Sequence, residues 1–124
     1  MNQKNIFTVI GAILLLQGIG MYAMGHKMMA DTFPNLEANG QYAAINLAQV
    51  LAMFSILVGL ISFAAKNVPA VLWAYTLGFA LLGLNTLKHI FIDHINVPLF
   101  APVIQLGIAL VCCYLWMQSR KVPA

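Results

Sequence analysis

The sequence predicts an all-α integral membrane protein, an antiparallel bundle of four transmembrane helices. Three observations predict it. Hydrophobic residues make up 62% of the 124 positions and charged residues 7%, where about 25% charged is usual in soluble domains. The apolar residues gather into four runs, 5–24, 44–65, 69–92 and 98–118. Each is near the roughly 20 residues that cross a hydrocarbon core of about 30 Å. A spanning segment must satisfy its own backbone polar groups in lipid, which leaves the helix as the form available to single runs of this length. A soluble fold so small cannot hide this much apolar side chain, whereas lipid accepts it on the outside.

The first run is preceded by Lys4 and followed by Ala23-Met24-Gly25, a pattern that also fits a signal peptide. Its apolar stretch is long enough to span, so a retained helix is expected. The segment 25–42 then reads as the one long loop, with Phe33-Pro34 and Asn39-Gly40 as turn signals. Lys66 to Val68 and Asp93 to Val97 form two short links, and short links force antiparallel neighbours. Pro69 and Pro98 suit the first turns of the third and fourth helices, and Pro102 lies at or just past a tolerated position. The whole chain, 1–124, reads as one membrane domain.

Lys and Arg counts set the expected orientation. Lys4, Lys66, Arg120 and Lys121 fall on one side, and Lys27 and Lys88 share the other with Asp31, Glu37 and Asp93. Both termini are therefore expected in the cytoplasm, and the first loop outside. The net charge of +3 is too small and scattered for nucleic-acid binding. Cys112 and Cys113 are adjacent with no third cysteine, which excludes a disulfide framework.

Helices gain nothing from leaving lipid for one another, so small residues must let their backbones approach. Gly11, Gly18 and Gly25 recur every seven residues on the first helix. Ser55 and Gly59 on the second, and Ala74 and Gly78 on the third, are further small pairs.

Polar residues inside a membrane are costly and usually face the bundle interior. Gln17, Asn46, Gln49, Asn85, His89 and Gln105 are such residues. Counted from the outer ends, Gln17, Gln49, Asn85 and Gln105 reach a common depth of about 8–11 Å. Asn85, His89 and Asp93 are spaced four apart and form one stripe. The aspartate would orient the imidazole, with Lys88 beside it. Three readings follow: a hydrogen-bonded structural layer; an outward-facing pocket of Gln17, Asn46, Gln49, Asn85, Lys88, His89, Asp93 and Gln105 that binds a small molecule or lipid headgroup; and a proton or ion path, which the lack of an acidic residue deep in the bundle disfavours. A separate cluster, Met21, Met24, His26, Met28 and Met29, supplies soft-to-borderline ligands of the kind that suit Cu(I), although methionine is also a common filler of membrane helices. Phosphate loops, HExxH, nucleophile elbows and CxxC are absent from the sequence, so no catalytic residue is assigned.

The joint between the last two helices, Leu84-Asn-Thr-Leu-Lys-His-Ile-Phe-Ile-Asp-His-Ile-Asn-Val-Pro98, together with the length and the four spans, resembles small bacterial membrane proteins of the DoxX-like kind. Lys88, Asp93, Pro98 and Gln105 would occupy their recurring basic, turn and polar places. Those relatives more often carry Arg and Glu, so Lys88 and Gln105 make a weaker pair. The resemblance implies a four-helix fold in the bacterial inner (plasma) membrane. The function expected is non-enzymatic: binding of a ligand or lipid, or service as an accessory subunit beside a membrane partner or a second copy. The alternatives are copper or other soft-metal handling, and a quinone-linked oxidoreductase module near His89, in line with a redox association of the family.

Overall fold

A computed structural model of the protein describes residues 2–121. The described residues form four long helices and no strand. They are α1 (Gln3–Thr32), α2 (Ala38–Ala64), α3 (Leu72–Phe91) and α4 (Phe100–Lys121), with a 3₁₀ turn at Pro69–Val71 leading into α3. All four are long and apolar enough to cross a membrane, yet only 17% to 28% of each apolar window is buried. Leu16, Leu81, Phe91, Val103 and Leu110 are among the large apolar side chains left exposed. An apolar exterior on every long helix is what lipid covers. The chain is a multi-pass membrane protein.

The long loop expected over 25–42 is mostly helix. α1 continues to Thr32, α2 already begins at Ala38, and only 33–37 separate them. Met, Ala, His and Lys after Gly25 put no strong breaker in the helix's path. Pro34 does, because the residue before a proline is pushed out of helical geometry. Asn39-Gly40 turns nothing. It lies in the first turn of α2, where a glycine costs little, and Gln41 N–H already returns to Glu37 C=O at 2.8 Å. At 30 residues, α1 is about 45 Å long, longer than the hydrocarbon core. The end bearing Lys27 and Asp31 therefore extends past the apolar stretch.

The later bounds shift less. Pro69 opens the 3₁₀ turn with its missing N–H where none is needed. α4 begins at Phe100 rather than 98, which leaves Pro102 within the first helical turn, where an N–H has no intrahelical partner. Asn2 caps α1, accepting the Lys4 N–H on its side chain at 2.9 Å.

The described chain divides into two compact units. One is Phe7–Ala64; the other joins the first residues, up to Ile6, to the chain from Ala65 onward. In the first, the buried positions of α1 are Phe7, Ile10, Gly11, Leu14, Gly18 and Gly25, and those of α2 are Ala48, Ala52, Gly59 and Ser62. Spacings of four and three alternate, as at a helix–helix seam. A Cβ added at Gly11 would lie 3.0 Å from Gly59 O, and one at Gly18 only 2.7 Å from Ala52 O. Ser55 Oγ donates across the seam to Leu14 C=O at 2.9 Å. Residue numbers rise on one helix as they fall on the other, so α1 and α2 run in opposite directions. The expected glycine seam of α1 and the Ser55–Gly59 pair meet here.

In the second unit Gly83 is the buried glycine of α3 and faces Leu106 of α4. The Ala74–Gly78 pair is not a seam in this structure. Both residues are exposed, and a Cβ on Gly78 would meet nothing within 4 Å. Leu72, Thr76, Phe79, Gly83, Thr86 and Ile90 are among the buried and half-buried positions of α3, and they follow a four–three repeat that leaves exposed Gly78 on another face. Gln3 Nε2 reaches Val68 C=O at 3.0 Å and Ala65 C=O at 3.5 Å, clasping the start of α1 to the turn before α3.

These approaches predict opposite outcomes for two glycine substitutions. Gly18→Ala forces backbone apart and costs about 1–3 kcal/mol. Gly78→Ala enters open space and is neutral or gains up to about 1 kcal/mol from helix propensity. Unfolding of the purified protein in mixed micelles, followed by helical circular dichroism, measures both. Equal effects at the two positions would sink the seam.

Candidate functional site

The polar residues of the second unit meet near the α3–α4 joint. Asn85 and His89 lie on one face of α3, about 9 Å and 3 Å from its end at the helical rise of about 1.5 Å per residue. Asp93 follows in the link. Asn85 Nδ2 and His89 Nε2 are 3.2 Å apart, and His89 Nδ1 and Asp93 Oδ2 are 2.7 Å apart. Lys88 Nζ stands 3.5 Å from the same carboxylate oxygen. The side chains form one continuous chain, Asn85–His89–Asp93–Lys88.

The partners assign the protons. An ionised carboxylate only accepts, so Asp93 takes the Nδ1–H. On a neutral ring Nε2 is then the acceptor and receives the Asn85 amide N–H. Protonation of the ring makes both nitrogens donors, and Asn85 must then offer its Oδ1 instead. The amide is thus a reporter of the imidazole's state. The hydrogen bond from His89 holds the Asp93 carboxyl below its ordinary range; desolvation opposes this, and the Lys88 charge adds to it.

The link fixes this arrangement. Ile92 N–H and Asp93 N–H both return to Lys88 C=O, at 2.8 and 3.1 Å, and Ile95 N–H returns to His89 C=O at 2.9 Å. His94 takes a left-handed φ of 54° to make that turn. His is among the residues enriched there, but any side chain pays some strain. Asp93 is consequently held against the ring rather than left on a free loop.

Gln105 sits at the same level on α4, but its partner is a residue that inspection of the sequence passed over. Thr86 Oγ1 donates to Gln105 Oε1 at 2.8 Å. Thr86 also lies 2.9 Å from Leu82 C=O on its own helix. The signal was present in the four–three repeat of α3, which puts Thr86 on the buried face one turn beyond Gly83. Asn85 and His89 occupy the neighbouring, open face. The side chains of His89 and Asp93 are 39% and 33% exposed, so the polar chain is open to whatever surrounds the helix.

In the first unit the polar residues are spread out. Gln17 Nε2 lies 3.9 Å from Met21 Sδ. The seam contacts Gly11–Gly59, Gly18–Ala52 and Gly25–Ala48 set the register of α1 against α2. In that register Gln17 lies opposite the stretch 53–56, and Gln49 opposite 21–24. They stand about one to two turns apart in height, at 3.6 residues per turn. The shared depth was counted from helix ends now known to lie elsewhere. Asn46 is exposed and Gln49 half-buried.

The methionine–histidine cluster is helical throughout. At about 100° per residue, Met21, Met24 and Met28 fall within an arc of about 60°, and His26 lies about 160° from Met28. His26 and Met29 instead line a shallow depression with Ala30, Leu36, Gln41 and Ile45. Gln41 Nε2 is engaged there with Leu36 C=O at 2.9 Å. No group of three or more His, Cys, Asp or Glu side chains comes together among the described residues. Cys112 is buried and Cys113 half-buried on α4.

Comparisons with known protein families, curated proteins and solved structures find no match to this chain.

The His89–Asp93 contact has a pH signature. Folding lowers the Asp93 pKa, so its contribution is full above the unfolded carboxylate value and is lost as pH falls through the folded one. Carboxyl NMR on the protein in micelles should find Asp93 titrating below ordinary carboxylates, and His89→Ala should move it upward. An unmoved titration would show that the hydrogen bond does not persist in solution.

Proposed function

We propose that the protein is an antiparallel four-helix bundle of the bacterial inner membrane that binds a small polar ligand or a lipid headgroup at the α3–α4 joint. It acts without catalysis, alone or as an accessory subunit of a membrane complex. Both chain ends lie in the cytoplasm, following the distribution of Lys and Arg. The DoxX-like resemblance of the joint supports the same architecture.

One observation carries the site: the Asn85–His89–Asp93–Lys88 chain is hydrogen-bonded within itself yet open on the surface of a spanning helix. Polar side chains at membrane level are expensive unless something polar faces them. The internal bonds leave donor and acceptor capacity unspent on the Asn85 amide and the Lys88 ammonium. The Lys88–Asp93 pair is neutral overall, so the chain suits a ligand that both donates and accepts. The Thr86–Gln105 bond holds the two helices together beneath it without using any member of the chain.

Native mass spectrometry of the protein released from its own membranes tests this. A bound mass should accompany the wild type and be lost from Asn85→Ala and from His89→Ala. Identical spectra for all three would remove the site. A bound mass matching a quinone would move the reading to the redox module.

Soft-metal handling is favoured by a different observation, the three thioethers of Met21, Met24 and Met28 along one stripe of α1. Under that reading a Cu(I) titration against a competing chelator loads one equivalent, and Met24→Ala with Met28→Ala abolishes it. Unchanged loading in the double variant excludes the stripe.

A further inference from the structure

The α1–α2 hairpin carries a small space of its own. Gly25 is buried, and a Cβ added there would lie 3.8 Å from Ala48 Cβ, so the two helices are still side by side where it begins. Beyond that contact His26, Met29 and Ala30 of α1, Leu36 of the link, and Gln41 and Ile45 of α2 line one depression. Helical spacing explains the set. Residues 26, 29 and 30 share a face of α1, and 41 and 45 share a face of α2. The link is held down onto α2: Gln41 Nε2 donates to Leu36 C=O at 2.9 Å, and a Cβ on Gly40 would lie 3.3 Å from the Leu36 side chain. All six lining residues belong to the unit Phe7–Ala64.

Size and donor chemistry restrict the occupant. The space amounts to about 20 Å³, enough for one water-sized species and far below the roughly 300 Å³ at which pockets for organic ligands begin. The lining offers an imidazole, a thioether and an amide whose nitrogen is engaged with Leu36. It offers no carboxylate and no thiol. Hard cations take six or more oxygen ligands, and structural zinc takes four strong ones. A thioether beside an imidazole suits Cu(I), a filled-shell ion that is content with two or three ligands. His26 is exposed and Met29 half-buried, which leaves the ring free to turn toward the sulfur. The ionised residues of the stretch 26–45 are Lys27, Asp31 and Glu37, a balance that favours a cation over an anion.

We propose that His26 and Met29 form a Cu(I) site in this depression, with Gln41 Oε1 as a weaker third donor. The metal is thereby given a different place from the Met21, Met24 and Met28 stripe, since Met28 points about 160° away from His26 round α1. The site shares no residue with that stripe or with the α3–α4 joint. It lies at the end of α1 that extends past the apolar stretch, so an ion reaches it from water.

An anaerobic Cu(I) titration of the full chain in micelles against a competing chelator, followed by methionine methyl and histidine ring NMR, provides the test. The wild type should take up Cu(I) with the Met29 and His26 signals moving first. His26→Ala and Met29→Leu should each weaken binding by about tenfold or more, since losing even an outer-shell partner of a metal costs that much. Leucine keeps the volume of Met29 while removing its sulfur. In Met24→Ala with Met28→Ala the ion should still settle on Met29. A wild type that takes no Cu(I) would overturn the proposal. So would loading that survives His26→Ala with Met29→Leu in a protein of unchanged helicity. Loading lost from Met24→Ala with Met28→Ala would overturn it too, and would return the metal to the stripe.

Discussion

The contact of bare backbones at Gly11, Gly18 and Gly59 is the constraint on which α1 and α2 depend. In water two apolar helices associate by shedding hydration, but in lipid both states are equally apolar and that drive vanishes. What remains is dispersion between surfaces close enough to feel it, and this falls steeply with a gap of even half an ångström. A Cβ at Gly18 would sit 2.7 Å from Ala52 O, so the glycine sets the distance at which every other seam contact is made. The Ser55–Leu14 hydrogen bond exists because the backbone of α1 is near enough for a short side chain to reach. α3 and α4 solve the same problem differently. Gly83 receives the Leu106 side chain rather than opposing backbone, and a threonine–glutamine bond adds a directional link.

Sequence patterning revealed the four spans because their cause is local: an apolar run of the right length has few options. The seven-residue recurrence of Gly11, Gly18 and Gly25 was legible for a similar reason, since it specifies a face without reference to a partner. The length of α1 was misjudged where composition stood in for stereochemistry. Polar residues after Gly25 looked like loop, yet lysine, histidine and methionine continue a helix readily, and only Pro34 ends it. Gly78 shows the other limit. A small pair announces that close approach is permitted, not that a neighbour is there to make it, and the partner position on α3 fell to Gly83 instead.

The candidate site was legible as a stripe and not as a layer. Asn85, His89 and Asp93 are linked by helical spacing alone, which the sequence displays directly. Their joining to Gln17 and Gln49 required the heights of separate helices, and those heights depend on where each helix ends. Within the second unit the count held because the Asp93–Val97 link is short. Within the first, the additional turns at both ends of the 33–37 link displaced Gln17 from Gln49. Thr86 was missed because an isolated threonine on an apolar helix looks like filler until its face is known.

The division of labour along α3 follows from these geometries. Its buried face ends in Thr86, whose hydroxyl is used against α4. Its open face ends in Asn85 and His89, whose hydrogen bonds run only along α3 and into the link. Had the amide faced α4 and the threonine faced outward, the hydroxyl could have satisfied itself on the preceding carbonyl, as such hydroxyls commonly do. An outward asparagine has no comparable local partner on a regular helix. It is satisfied here because His89 stands one turn later, and His89 is oriented because Asp93 is held by backbone bonds to Lys88 at the end of the helix. Each member of the chain is placed by the next, and the last is placed by the turn. A structural role in joining α3 to α4 would have needed only Thr86 and Gln105. The ordered groups beside them have no such task within the pair of helices, which is the physical argument for proposing recognition at that face.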